Sequence, residues 1–194
     1  MDEDVVQPEF SRPLAVEDVG EEGVEREIAA NARELQALAT RMKLPAIRSL
    51  RARLRIVPEK RGALMVRGHM EAQVEQECVR TLEAFPATVE AEIARLFVPA
   101  DSPQARALEA APVVELDADA PDAPDIIHGG EIDLGELVAE HLALSLDPWP
   151  KKPGTDFIDM QVGGDDEQPA EGGEGGTDGK EHPFAALKAL KERE

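Results

Sequence analysis

Arg51, Arg53 and Arg55 stand at alternate positions in the stretch SLRARLRIV (49–57). On a β-strand such residues share one face and project about 6.6–6.8 Å apart. Lys60, Arg61 and Arg67 extend the row around the following turn. Phosphate is the chemistry that suits this row, because each neutralised phosphate releases condensed counterions. The row suits cross-strand ion pairs equally well. Glu71 and Glu75 fall on the polar face of the next stretch, and Glu90 and Glu92 on that of the one after. Both readings stand on sequence alone. No aromatic residue interleaves with these arginines, and no RRM, KH or zinc-finger pattern occurs. An RNA contact here is therefore to backbone and carries no base reading.

Other reactive residue types are sparse. Cys78, in QECVRTLE, is the single cysteine, and its position reads as a buried structural thiol rather than a reactive one. His69, His128, His141 and His182 do not cluster at ligand spacing, so no metal site and no cofactor is expected. GxSxG, HExxH, P-loop and strand-preceded GxGxxG motifs are absent, and the glycines from 163 to 179 sit among acids that repel phosphate. No catalytic residue is assigned and the chain reads as non-enzymatic. The closing HPFAALKALK puts Phe184, Leu187 and Leu190 on one helical face after a Gly/Glu-rich stretch. This is a docking element, either on its own domain or on a partner.

The elements that position these groups follow from period and punctuation. Ile28, Ala32, Leu35, Ala39 and Met42 keep helical spacing, predicting a helix over 25–42 that ends at Leu44-Pro45. Leu50, Ala52, Leu54 and Ile56 alternate with the arginines. After the turn at 58–62, alternation resumes from Leu64 to Glu75, which makes a long antiparallel hairpin. ATVEAEIARLFV adds a strand with Val89, Ala91 and Ile93 inward, and Phe10 to Val19 reads as an edge strand broken by Pro13. A second helix over 133–146 begins at a capping-box-like Asp133/Glu136 and stops at Pro148-Trp149-Pro150.

The expected fold is α+β: an antiparallel sheet of three or more strands, open or curled toward a barrel, with two helices packed on it. Residues 1–9 read as an acidic disordered start, 10–100 as a core of one helix and the antiparallel sheet, 101–128 as an acidic linker too poor in large apolar groups to order, 129–158 as the second helix on the core, 159–181 as a flexible acidic linker, and 182–194 as a short amphipathic helix.

Composition bounds the function classes. The chain has 194 residues, enough for one ordinary domain, and 41 Asp and Glu against 21 Lys and Arg give a net charge of −20. The average conceals polarity: 41–67 holds nine bases and one acid, whereas 101–181 holds 21 acids and four bases. No apolar run approaches the roughly 20 residues of a membrane span. The acidic start is unlike a secretory signal, so a cytoplasmic protein without membrane partners is expected.

Three segments together resemble a known family: ALMVRGHMEAQVEQECVRTLEAF (63–85), GGEIDLGELVAEHLALSLDPWPKKPG (129–154) and HPFAALKALK (182–191). Within them Gly68, Gln76, Cys78, Arg80, Leu82, Glu83, Ile132-Asp133-Leu134 and Glu140 form the pattern. The chain resembles the bacterial and plastid YceD family, the large ribosomal RNA subunit accumulation proteins. The resemblance implies a non-enzymatic role in synthesis, processing or stability of large-subunit ribosomal RNA, with that RNA, its assembly intermediates or a ribosomal protein as partner. Many members carry C-x-x-C where this chain has Cys78 and Thr81, so no thiolate metal or redox chemistry transfers. Arg51, Arg53, Arg55, Lys60, Arg61 and Arg67 are the expected RNA-binding residues. The alternative is an adaptor that binds a basic ribosomal protein through Phe184, Leu187 and Leu190 or through its acidic linkers, without touching RNA.

Overall fold

Strict alternation along three consecutive long strands dictates the architecture. In the computed structural model, which describes residues 8–110 and 122–154, β3 (Ala46–Pro58), β4 (Leu64–Glu77) and β5 (Ala84–Pro99) form an antiparallel meander. β2 (Val24–Ala29) flanks β3, and β6 (Asp125–Ile127) runs parallel to the end of β5, giving the order β2-β3-β4-β5-β6. The sheet is open and does not close into a barrel. A separate two-stranded ribbon pairs β1 (Pro13–Ala15) with β7 (Glu131–Asp133). The helices are α1 (Ala32–Arg41), α2 (Pro103–Ala110) and α3 (Leu134–Ser145). The fold is α+β.

Packing separates the two sheet faces. Leu50, Ala52, Leu54 and Ile56 of β3, Val66, Met70, Ala72 and Val74 of β4, and Val89 and Ile93 of β5 are buried. They face Leu38 and Ala39 of α1 and Leu134, Leu137, Val138 and Leu142 of α3 in one core. Each large apolar side chain buried there contributes roughly 1.5–3 kcal/mol relative to exposure. The opposite face is left to solvent. Gly68 stands where β4 crowds β3: a Cβ there would run into the Arg53 carbonyl oxygen and Leu54.

Two expectations are corrected. The helix predicted over 25–42 begins only at Ala32, and its first part is strand β2. Asn31 accepts from the Arg33 and Glu34 backbone N–H groups while Glu34 accepts from the Asn31 N–H, a capping box that sets the helix start. Upstream of it, Glu25 and Glu27 lie opposite Arg55 and Arg53, which rewards extended pairing. The predicted linker 101–128 is ordered at both ends. Ser102 Oγ accepts from the Ala105 N–H at the start of α2, whose Ala105 is buried, and β6 adds to the sheet. Residues 1–7, 111–121 and 155–194 lie outside the described residues, and with them the expected linker 159–181 and the expected helix 182–194 with Phe184, Leu187 and Leu190.

Side chains tie the helices to the amino-terminal arm. Asp133 accepts from the Gly135 and Glu136 N–H groups at the α3 start, from Ser11 Oγ at 2.6 Å and from the Arg12 N–H at 2.7 Å. Glu136 does not turn back to complete a box; it pairs with Arg41 at the end of α1. Arg12 forks onto Glu34 and holds that carboxyl below its usual range. At the far edge, Arg95 sits 3.2 Å from Asp125 and 3.1 Å from Glu140, an ion pair rather than a hydrogen bond toward Asp125. Asp133→Ala removes the cap and orphans two arm donors together. It should destabilise the fold by about 2–3 kcal/mol, read as a lower urea midpoint at unchanged slope.

Candidate nucleic-acid interface

The solvent face of the sheet is built from the residues between the core positions. Reading across β2, β3, β4 and β5, the row nearest the β3–β4 turn is Glu25, Arg55, Arg67 and Ala94. The next is Glu27, Arg53, His69 and Glu92, and the third is Ala29, Arg51, Glu71 and Glu90. The structure thus brings Arg51, Arg53, Arg55 and Arg67 onto one face. The charge changes sign along it: two guanidinium groups oppose each other in the first row, and two carboxylates in the third.

Every arginine of β3 has an acidic neighbour. Arg51 donates to Glu71 at 2.7 Å, Arg55 to Glu25 at 2.7 Å and Arg53 to Glu27 at 3.4 Å. Arg48 pairs with Glu75 at 2.5 Å, and His69 Nδ1 meets Glu92 at 3.0 Å. The hydrogen bond that Arg51 donates to Glu71 stabilises the charged guanidinium and raises its pKa further. The side chains of Arg51, Arg53 and Arg55 nevertheless stay 63%, 82% and 56% exposed. Exposed pairs of this kind contribute only about 0.2–1 kcal/mol each, and salt weakens them. A shallow concavity of about 280 Å³ lies among Glu27, Arg51, Arg53, His69 and Glu71.

The turn is different. Among the described residues, no ion pair or side-chain hydrogen bond engages Lys60, Arg61 or Arg67. Lys60 and Arg61 occupy a 3-10 turn after Glu59, closed by the Glu59 N–H donating to the Ala63 carbonyl. Arg61 has φ +63, the left-handed region that costs a non-glycine residue roughly 1–2 kcal/mol. Three cations without an acidic partner therefore stand together at one end of the sheet.

Cys78 directly follows β4 at the opposite end. Its thiol is fully buried, and Sγ accepts the backbone N–H of Lys152 at 3.4 Å. That donor, the Thr81 hydroxyl and the Arg80 and Thr81 N–H groups favour the thiolate over the opposing effect of burial, and the pKa falls to about 6. The segment around Pro150 is held there as well, because the Val79 N–H donates to the Pro150 carbonyl. This contact across more than seventy residues has no local signature. Among the described residues, no group of three His, Cys, Asp or Glu side chains is arranged to hold a metal ion, and no helix is long and apolar enough to cross a membrane.

A family description, "Large ribosomal RNA subunit accumulation protein YceD", matches residues 66–191, or 126 of the 194 residues. The chain belongs to the YceD family. The family name describes an accumulation protein and names no enzyme activity. No curated protein and no solved structure matches the chain. The YceD match takes in β4, β5, α3 and the Cys78 turn, but of the six cations singled out above it includes only Arg67.

The thiolate generates a pH dependence. A folded-state pKa depressed from 9.0 to about 6 contributes stability that is complete above pH 9 and is lost as pH falls through 6. The thermal-midpoint advantage of the parent over Cys78→Ala should therefore widen from pH 6 to pH 9. A gap that does not change across this window would show that the donors hold no thiolate.

Proposed function

We propose that this YceD-family chain supports accumulation of large-subunit ribosomal RNA by binding RNA phosphates at the β3–β4 turn and along the adjoining cationic row. The carrying observation is the gathering of Lys60, Arg61 and Arg67 without acidic partners, beside an Arg55 that faces Arg67 directly. Glu25 already compensates Arg55, so Arg67 is the uncompensated guanidinium of the opposed pair, and a phosphate supplies its counter-charge. Arg61 keeps a strained backbone at the same place, and such strain concentrates at functional sites.

Arg51, Arg53 and Arg55 act as a second line in this reading. Each must exchange a glutamate for a phosphate, a small cost for exposed pairs. The acids flanking the row limit its reach, and no aromatic side chain stands among the arginines to stack on a base, so binding is to backbone and depends on salt. The family name supports a role in large-subunit RNA accumulation; direct contact is the step added here. The competing adaptor reading rests on the helical spacing of Phe184, Leu187 and Leu190 in the sequence, or on the acidic linkers. Deleting 180–194 tests it: lost particle association with intact RNA binding favours the adaptor.

Removing arginines from β3 alone is an unclean test, because it bares Glu25, Glu27 and Glu71 and adds repulsion. The turn is cleaner. Lys60→Gln/Arg61→Gln/Arg67→Gln should reduce the slope of log affinity against log salt by about 2–3, near one per lost phosphate contact. Arg61→Gly relieves the backbone strain, so it should fold at least as stably as the parent and still bind RNA more weakly. Unchanged retention and salt slope in the triple variant would remove the turn from the mechanism.

A further inference from the structure

We infer that the open edge of β5 is a docking site for an extended, lysine- or arginine-bearing segment of another protein, which adds to the sheet as a strand. The inference stands apart from the RNA-contact reading, because it uses a different strand and a partner of opposite charge.

β5 pairs with β4 from Ala84 to Phe97 without a register shift. On its other side β6 covers only Phe97–Pro99. Among the described residues, no backbone hydrogen bond engages the outer side of Ala84–Leu96. Roughly 40 Å of strand edge is thus left unpaired. Pro86 fixes which groups face outward. A proline fits a strand where its nitrogen points away from the ladder. The unbroken register then turns the N–H and carbonyl groups of Thr88, Glu90, Glu92 and Ala94 outward too. All four residues are exposed. Such a row is a template for a further strand. β6 already uses its far end, and Pro124, which lacks an N–H, stands immediately before β6.

A groove runs beside this edge on the core side. Ala87 and Ala91, half-buried, alternate with the buried Phe85, Val89 and Ile93. Glu140 of α3 meets Arg95 at 3.1 Å, and past the helix end the Asp147 carbonyl accepts from Gln76, the ladder partner of Phe85. α3 therefore follows β5 from Arg95 back toward Phe85. Leu144, one turn past Glu140 on the same side of the helix, is 73% exposed. The small alanines and this leucine leave room for an apolar side chain at every second residue of a guest strand.

Charge selects the guest. The elements bordering the edge carry Glu90, Glu92, Asp125, Glu136 and Glu140 against Arg95 alone. Arg95 is held by Asp125 and Glu140, and Glu136 by Arg41. One strand in, β4 adds Arg67, Glu71 and Glu75, the two acids being matched by Arg51 and Arg48. Glu92 has only His69, and among the described residues no ion pair engages Glu90. Near the Ala84 end charge is balanced, with Arg80, Lys151 and Lys152 against Glu77, Glu83 and Asp147. The middle of the edge is thus anionic, and Glu90 and Glu92 stand at alternate positions. They suit a guest with basic residues at every second position and apolar residues between.

The full chain is titrated with a short labelled peptide alternating valine and lysine, and with one alternating valine and glutamate. Anisotropy reads affinity, and amide hydrogen exchange reads the site. The valine–lysine peptide should bind and slow exchange at Thr88, Glu90, Glu92 and Ala94, and the valine–glutamate peptide should do neither. Glu90→Lys/Glu92→Lys, two exposed changes, should weaken binding about tenfold. Methylating every second backbone nitrogen of the peptide should abolish binding in one phase and spare it in the other, because only one set of N–H groups reaches β5. Lys60→Gln/Arg61→Gln/Arg67→Gln should bind the peptide like the parent, so failure of the RNA-contact reading leaves this inference standing. No binding of the valine–lysine peptide overturns it. So does binding that leaves these amides unprotected, or that the double charge reversal does not weaken. Slow exchange at the same amides before any peptide is added shows an edge already filled, and overturns it as well.

Discussion

The alternation of β3 is the constraint on which everything else depends. One register sends Leu50, Ala52, Leu54 and Ile56 into the core and Arg51, Arg53 and Arg55 to solvent. A slip by a single residue would exchange the two sets, burying three guanidinium groups and exposing four apolar side chains. Core and cationic face therefore specify one another. The helices α1 and α3 can cover only the apolar side, and the charged side is left to solvent.

The row of like charges must itself be tolerated. β2 provides the means, setting Glu25 and Glu27 against Arg55 and Arg53, while β4 sets Glu71 against Arg51. These are surface pairs, strong enough to stop repulsion within the sheet and weak enough to be exchanged. In the row nearest the turn Glu25 serves Arg55 alone, and Arg55 faces an Arg67 that has no acidic partner. The described residues carry 17 Lys and Arg against 24 Asp and Glu. Most of the chain's acid excess thus lies outside them, and the sheet is far less anionic than the whole chain.

What the sequence disclosed and what it hid divide by distance along the chain. β3, β4 and β5 were legible because alternation is local and long, and Asp133 was legible as a helix start because a cap is local too. β2 was hidden because Ile28 fits a helical stripe with Ala32, Leu35 and Ala39 as well as it fits a strand. Asn31 and Glu34, three residues apart, held the signal that separates the two. β6 pairs in parallel with β5 across a long connection, and nothing in its three residues announces that. The six expected cations proved divided: the sheet gathers four on one face and the turn holds two. Which of them lack acidic partners depends on Glu71 and on Glu25 and Glu27, whose strand carries helical spacing in the sequence. The Cys78–Lys152 contact and the Arg95–Glu140 pair were hidden because they join residues far apart in sequence.

The most direct test of phosphate contact at the β3–β4 turn is ultraviolet crosslinking in growing cells, with the attached RNA sequenced and the attached peptide mapped. The account predicts large-subunit ribosomal RNA on peptides spanning 55–67. Crosslinks to protein alone, or ribosomal RNA attached only outside that region, would contradict it.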